Sequence, residues 1–353
     1  MSVTREQVVE ALKTVTNPVT GTDLIASDVV RALALADGKV RFILEVDGAD
    51  AAAMGPVRDA AVAAVEALTG PGSVNAMVTA QSAAPAPPVL KAQAAPKGPA
   101  KVPGVERIIA VASGKGGVGK STVSANLAVA LAAEGKRVGM LDADVYGPSQ
   151  PRMLGISGRP ASPDGKIILP LRNHGVTLMS IGLLTQEDEA VIWRGPMLMG
   201  ALQQMLGQVQ WGKLDVLIVD LPPGTGDVQM TLAQKAEVTG AIIVSTPQDI
   251  ALLDARKAID MFGKMNTKVL GMIENMSTFC CPACGHETHI FGHGGARADA
   301  ARLGIPFLGE IPLNIDIRLA GDGGAPVVAA QPDSPQAMAF RKIARDLIAA
   351  GTV

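Results

Sequence analysis

The sequence predicts an α/β protein, with a mostly parallel sheet covered on both faces and a smaller α/β unit in front of it. Three observations predict it. From about residue 105 onward, short apolar runs alternate with segments of helical period, the pattern of strand–helix–strand crossovers. One such unit, Arg107 to Glu134, places Gly114-Lys115-Gly116-Gly117-Val118-Gly119-Lys120-Ser121 between an apolar strand and a helix. That is the phosphate-loop spacing G-x-x-x-x-G-K-[ST] in the context it requires. A run of Ala, Pro, Lys, Gln and Ser over residues 81–104 separates this region from the first 80 residues.

Composition bounds the function. The chain has 353 residues, 48% apolar but only 3% aromatic, so two or so domains with aliphatic cores are expected. The net charge is -2 with no basic cluster, which argues against a nucleic-acid partner. No apolar run reaches membrane-spanning length, and Met-Ser-Val-Thr-Arg-Glu-Gln at the N-terminus lacks the apolar segment of a signal peptide. A cytoplasmic protein with no membrane partner is expected. All three cysteines lie within Cys280 to Cys284, which is metal or redox chemistry rather than a disulfide framework.

In residues 1–80, Thr4 to Val15 reads as an amphipathic helix capped by Thr4, with Val8, Val9, Leu12 and Val15 on one side. Asn17 to Gly21 is a turn, Leu24 to Leu35 is mostly extended, and Asp37-Gly38 is a hairpin signal. Val40, Phe42, Leu44 and Val46 alternate with Arg41 and Glu45 as a half-buried strand. A helix from about Ala51 to Leu68 and a strand near Val74 to Thr79 complete the unit. Residues 81–104 form a proline-stiffened linker across which domain motion is expected. In the main domain, 105–353, strands are expected at Arg107–Ala112, Arg137–Leu141, Val176–Ile181, Val216–Asp220, Ala241–Ser245, Lys268–Ile273 and Phe307–Leu308. Ligands of such a sheet bind at the carboxyl ends of the strands.

The loop glycines Gly114, Gly116, Gly117 and Gly119 let successive N–H groups turn toward phosphate oxygens. Val118 and Thr122 complete the loop and the first helical turn, whose terminus adds unpaired donors. Lys120 would reach the β- and γ-phosphates and Ser121 would place its hydroxyl on Mg²⁺. Lys115 is a second loop lysine, either solvated or reaching the nucleotide of a second subunit. Asp142 and Asp144 follow one strand, and Asp220 ends another after four apolar residues. Asp142 and Asp220 are assigned to the Mg²⁺ environment and Asp144 to positioning the attacking water. Gly224 would let its N–H approach the γ-phosphate.

Cys281-Pro282-Ala283-Cys284 sets two thiolates to face one metal. Zinc with Cys281, Cys284 and His286 or His289 is one reading. The other is an iron–sulfur cluster, which usually needs four thiolates; a two-fold dimer supplies them.

The loop Lys-Gly-Gly-Val-Gly-Lys-Ser resembles the deviant phosphate loop of the ParA/MinD class of dimerising ATPases, the SIMIBI group. Together with Asp142-Ala143-Asp144-Val145-Tyr146-Gly147-Pro148-Ser149, Asp220-Leu221-Pro222-Pro223-Gly224-Thr225-Gly226-Asp227 and Cys-Pro-x-Cys-Gly-His before Ile-Phe-Gly-x-Gly-Gly, it closely resembles the Mrp/ApbC iron–sulfur cluster carrier ATPases. The first unit resembles the MIP18-like domain (DUF59). The resemblance implies a P-loop NTPase that binds ATP and Mg²⁺, hydrolyses ATP slowly, and works as a homodimer. It implies a [4Fe–4S] cluster held by Cys281 and Cys284 of both subunits, taken from a scaffold and passed to apo-proteins. It also implies that Asn275 bonds the adenine and that Glu310-Ile311-Pro312-Leu313 forms the other wall of the base pocket. A ParA/MinD-like positioning ATPase and a zinc-binding regulatory ATPase are the alternatives.

Overall fold

The computed structural model describes residues 3–36, 39–47, 54–81, 98–163, 165–184 and 195–353. The chain divides into two compact units, Met1–Ala95 and Pro96–Val353.

The first unit comprises α1 (Arg5–Lys13), β1 (Val30–Ala36), β2 (Lys39–Asp47), α2 (Met54–Thr69) and β3 (Val74–Gln81). Thr4 starts α1 as a capping box. Its hydroxyl accepts from the Gln7 N–H, and the Gln7 side chain accepts from the Thr4 N–H. β2 lies between antiparallel β1 and parallel β3. Its alternating Val40, Phe42, Leu44 and Val46 are buried with Leu12, Leu24 and Val65. Leu24 to Leu35 is not extended throughout. The Asp23 carboxylate accepts from the N–H groups of Ile25 and Ala26, and this Asx turn delays the strand until Val30. The expected Asp37-Gly38 hairpin and the start of the helix at Ala51 lie outside the described residues.

The second unit contains, in order, β4 (Ile108–Ala112), α3 (Lys120–Ala133), β5 (Val138–Asp142), α4 (Gln150–Met153), β6 (Leu171–Asn173), β7 (Val176–Ser180), α5 (Gly195–Gly207), β8 (Val216–Asp220), α6 (Asp227–Lys235), β9 (Gly240–Ser245) and α7 (Asp249–Lys264). It continues through β10 (Val269–Cys280), β11 (Glu287–Thr288), α8 (Gly295–Leu303), β12 (Phe307–Leu313), α9 (Ile315–Asp322), α10 (Val327–Ala330) and α11 (Pro335–Ala349). Among the described residues nine strands form one sheet, in the order β11-β10-β9-β4-β8-β5-β7-β6, with β12 also paired to β10. Pairing is parallel except at β6 and β11.

β4 shows why both faces are covered. All five of its residues are buried. Ile109 and Val111 enter a core with Leu127, Leu131 and Phe340, whereas Ile108, Ala110 and Ala112 enter a second core with Leu202, Trp211 and Phe262. From β4 the chain moves to β5 and β7, returns through β8 between β4 and β5, then crosses to β9 and β10. The order therefore reverses at the carboxyl end of β4, where open α/β sheets bind ligands.

β10 runs on to Cys280 and β12 to Leu313, well past the expected ends. Glu274, Asn275 and Ser277 interrupt the apolar run of β10, yet all three are buried with their side chains hydrogen-bonded in place. β6 and β11 are too short and polar to show a period. Residues 98–104, assigned by composition to the linker, pack on the second unit. Val102 is buried, and the Glu237 N–H donates to the Ala100 carbonyl (3.1 Å). Among the described residues no helix is long and apolar enough to cross a membrane.

Candidate functional site

The phosphate loop leaves β4 and enters α3 at Lys120. Two of its glycines are forced. A Cβ on Gly114 would fall on the Asp254 backbone carbonyl of α7. Gly119 has φ of +78°, and its Cβ would strike the Asn275 amide. Gly116 and Gly117 are exposed at the loop tip, Lys115, Ser121 and Thr122 are half-buried, and Val118 is buried.

Lys120 is only 5% exposed. Its ammonium donates to Asp220 Oδ1 (2.7 Å) and to Ser121 Oγ (3.2 Å), with Asp144 Oδ2 at 3.8 Å. Asp220, fully buried, also accepts from Ser124 Oγ (2.8 Å) and Gln150 Nε2 (2.9 Å). Asp142 is its register partner on β5 and is equally buried. The Asp142 carboxylate accepts from the N–H groups of Asp144 (3.2 Å) and Gln150 (3.1 Å) and from Ser180 Oγ (3.0 Å). Burial, then the neighbouring Asp220 charge, pushes the Asp142 carboxyl up from 3.8 to about 7. Burial also raises Asp144, against the pull of Lys120. Two carboxylates, Asp144 and Asp220, thus face one ammonium, with Asp142 beside Asp220, a site suited to a divalent cation and phosphate.

The Asp142 shift has a sign. The native chain keeps this proton up to about pH 7, whereas an ordinary aspartate loses it near 3.8. Native therefore binds more protons than unfolded between those values, and this group's contribution falls as pH rises through them. Asp142→Asn is expected to flatten the loss of stability between about pH 4 and pH 7, read as the urea midpoint against pH. An unchanged slope would remove Asp142 as its source.

The segment after β8 closes the other side. Gly224, with φ of +94°, donates its N–H to the Ser113 carbonyl (2.9 Å). That donor, expected to face a γ-phosphate, is committed to the loop itself, because a backbone N–H takes the nearest acceptor. Asp227 is the first residue of α6, whose N-cap is Gly226. Gln229 was not foreseen. Its amide donates to the carbonyls of Pro222 (2.8 Å) and Gly224 (3.0 Å), and its Oε1 accepts from the Gly226 N–H (3.1 Å). A cleft of about 590 Å³ lies between this segment and Asp144, Tyr146 and Gly147.

Asn275 Nδ2 donates to the Val118 carbonyl (2.8 Å). The amide expected at an adenine edge thus braces the phosphate loop, with its residue 6% exposed. Pro312 is half-buried on β12, next to Ile311, the register partner of Asn275.

The cysteines sit at the tip of a hairpin. β10 and β11 pair as Phe279↔Thr288 and Cys280↔Glu287. Within the turn the Cys281 N–H donates to the His286 carbonyl (2.9 Å) and the Gly285 N–H to the Cys281 carbonyl (2.8 Å), and Gly285 has φ of +71°. The N–H groups of Ala283 and Cys284, then the Cys284 thiol, hold the Cys281 thiol below the usual cysteine range. Cys280 and Cys284 are exposed and Cys281 is half-buried, all three free. Cys280 is turned aside, its Sγ donating to the Gly285 carbonyl (3.5 Å).

The histidines do not join them. His289 Nδ1 meets the Ser277 carbonyl (3.2 Å), and its ring lies 4.4 Å from that of His293. Among the described residues, the one group of three His, Cys, Asp or Glu side chains within metal reach is Glu274, His293 and Glu310. Its partners account for it. The Glu274 carboxylate caps α8 through the N–H groups of Gly294 (2.9 Å) and Ala296 (2.8 Å), and Glu310 pairs with Arg297 (2.6 Å).

The ParA family model described as NUBPL iron-transfer P-loop NTPase matches residues 104–348, and the model of an iron–sulfur cluster assembly protein matches residues 5–78. An iron–sulfur cluster carrier protein of Synechocystis is 44% identical over 354 residues, spanning 98% of this chain and 97% of its own. A nucleotide-binding protein of Archaeoglobus fulgidus, solved with ADP and cobalt, is 42% identical over 68% of this chain and 93% of that one, with a TM-score of 0.59. The cell division ATPase MinD of Pyrococcus furiosus covers 69% of this chain and 99% of its own at a TM-score of 0.54, but at 24% identity it shares the fold alone.

Proposed function

The chain belongs to the NUBPL iron-transfer family of ParA-type P-loop NTPases, and on that premise we propose that it holds a [4Fe–4S] cluster between two copies of itself and passes it to apo-proteins under the control of ATP. One observation carries the shared site. Cys281 and Cys284 stand at a hairpin tip with backbone N–H groups toward the Cys281 sulfur, and no His, Asp or Glu group among the described residues comes within metal reach of the pair. Two thiolates do not complete an iron–sulfur site; two copies related by a two-fold axis supply four. Zinc closed by His286 or His289 loses support, because His289 faces Ser277 and His293. Free thiols fit a reducing compartment, the cytoplasm.

Mg²⁺ would be held by the Ser121 hydroxyl and Asp220 with Asp142 behind it, and when bound would neutralise charge on the β- and γ-phosphates. The buried acidic cluster fits that cation. Lys120 moves from Asp220 to the phosphates, Asp144 orients the attacking water, and Lys115 reaches the nucleotide across the dimer. Coupling follows from β10, which carries Asn275 against the phosphate loop and Cys280 at its far end. Between them Met276 holds a left-handed φ of +58°, a strained turn in a strand that a shift of the loop can relax.

The test is transfer itself. Anaerobically loaded protein, mixed with an apo-enzyme that needs a [4Fe–4S] cluster, is expected to restore its activity at a rate that changes with ATP. Absence of transfer at equimolar loaded protein would overturn the carrier reading. Transfer at one rate with and without ATP would overturn the coupling.

A further inference from the structure

Gln150, the first residue of α4, stands between Ser149 and Pro151, and nothing in the sequence singles it out. In the fold it is fully buried at the centre of the acidic site. Its backbone N–H donates to Asp142 Oδ2 (3.1 Å). Its side-chain amide donates to Asp220 Oδ2 (2.9 Å) and to the Ser121 carbonyl (3.0 Å). One residue therefore ties both strand-end carboxylates to the backbone of the serine that ends the phosphate loop. All of its donors are used. Its acceptor is not: Gln150 Oε1 is buried without a hydrogen-bond partner. Such an atom is uncommon and calls for an explanation.

The side-chain donors that hold the two carboxylates are committed to them, and the Ser149 hydroxyl is buried without a partner of its own. Lys120 and Ser124 donate to Asp220, and Ser180 donates to Asp142. Asp142, Asp144 and Asp220, once ionised, can only accept. A ligand that brings a donor into the site would complete Gln150 Oε1. Mg²⁺ gives up its water reluctantly and keeps several molecules when bound beside carboxylates and phosphates. Each such water has O–H groups that need acceptors.

We propose that Gln150 is a positioning residue for the metal of the nucleotide site: Oε1 accepts a hydrogen bond from a metal-bound water while the amide group aims Asp220. This rests on the nucleotide-binding function proposed above. It assigns a task to the segment after Asp144 beyond orienting water. The segment would then touch the metal through Gln150 as well as the attacking water through Asp144.

The test uses the full chain with ADP and Mn²⁺, whose bound fraction is read by electron paramagnetic resonance without any turnover. Gln150→Met keeps the shape and removes both polar ends. It is expected to raise the Mn²⁺ dissociation constant in the ADP complex about tenfold, in the range found for groups that orient metal ligands. ADP affinity in EDTA should change less than about twofold, because the contact exists only with the metal. Gln150→Glu returns an acceptor oxygen and should bring Mn²⁺ affinity to within about threefold of wild type. A merely structural role predicts the reverse, since a fourth buried carboxylate harms folding more than methionine does. Equal Mn²⁺ affinity in wild type and Gln150→Met would overturn the inference. If Gln150→Met does not fold, a loss of tenfold or more in Gln150→Glu overturns it instead. Failure of the wild type to bind ADP with Mn²⁺ would sink the nucleotide site itself, a separate result.

Discussion

Replacing Cys281 or Cys284 with alanine is expected to lower the iron and sulfide taken up in anaerobic reconstitution from about two of each per chain to under a tenth of that. The effect is large because a shared site with two ligands per chain loses two of its four at once. No nearby side chain substitutes. Cys280 points to the Gly285 carbonyl, His289 to the Ser277 carbonyl and His293 to Glu310. Cys280→Ala is therefore expected to keep the cluster. The two groups of variants separate a site built on the Cys281–Cys284 turn from one built on thiols in general. Full iron in either Cys281→Ala or Cys284→Ala would contradict the assignment. The hairpin tip is exposed, so the loss should come without a change in thermal midpoint of the cluster-free protein.

Lys120→Ala is expected to lower ATP turnover by about two to three orders of magnitude, the scale on which a preorganised charge at a transferring phosphoryl group acts. It should also cost stability, which a lysine on a solvated loop would not. Lys120 is the cation against which Asp220 is buried. Removing one partner of such a pair leaves an uncompensated charge and typically costs about 3–5 kcal/mol. ATP hydrolysis and the urea midpoint, measured on one preparation, read both effects. Turnover within about tenfold of wild type would remove Lys120 from the phosphates. A normal midpoint would show that Asp220 is satisfied without it.

Much of this was legible in the sequence because the chemistry and the fold share residues. The phosphate loop is a run of glycines whose reasons are local turn geometry and close approach, and such reasons show in one dimension. Asp142 and Asp220 end apolar strands, so their burial was implied by the residues before them. The Cys-x-x-Cys pair is likewise a local turn. Pairings between distant segments were not legible. Gln150 and Gln229 do their work through partners scattered over the segments around them, and a glutamine before or within a helix carries no signal of that. The length of β10 was hidden for the same reason. Glu274, Asn275 and Ser277 look like the end of a strand until α8, the phosphate loop and β12 supply their partners. Asn275 matters most, since the same amide expected at the base holds the loop carbonyl of Val118.

The most direct test of the central claim is native mass spectrometry of the protein after anaerobic reconstitution with iron and sulfide. A cluster shared across a two-fold axis predicts one species, a dimer heavier than two chains by four irons and four sulfides, with the cluster-free protein lacking that added mass. A single chain carrying zinc, or a cluster bound to one chain alone, would contradict it.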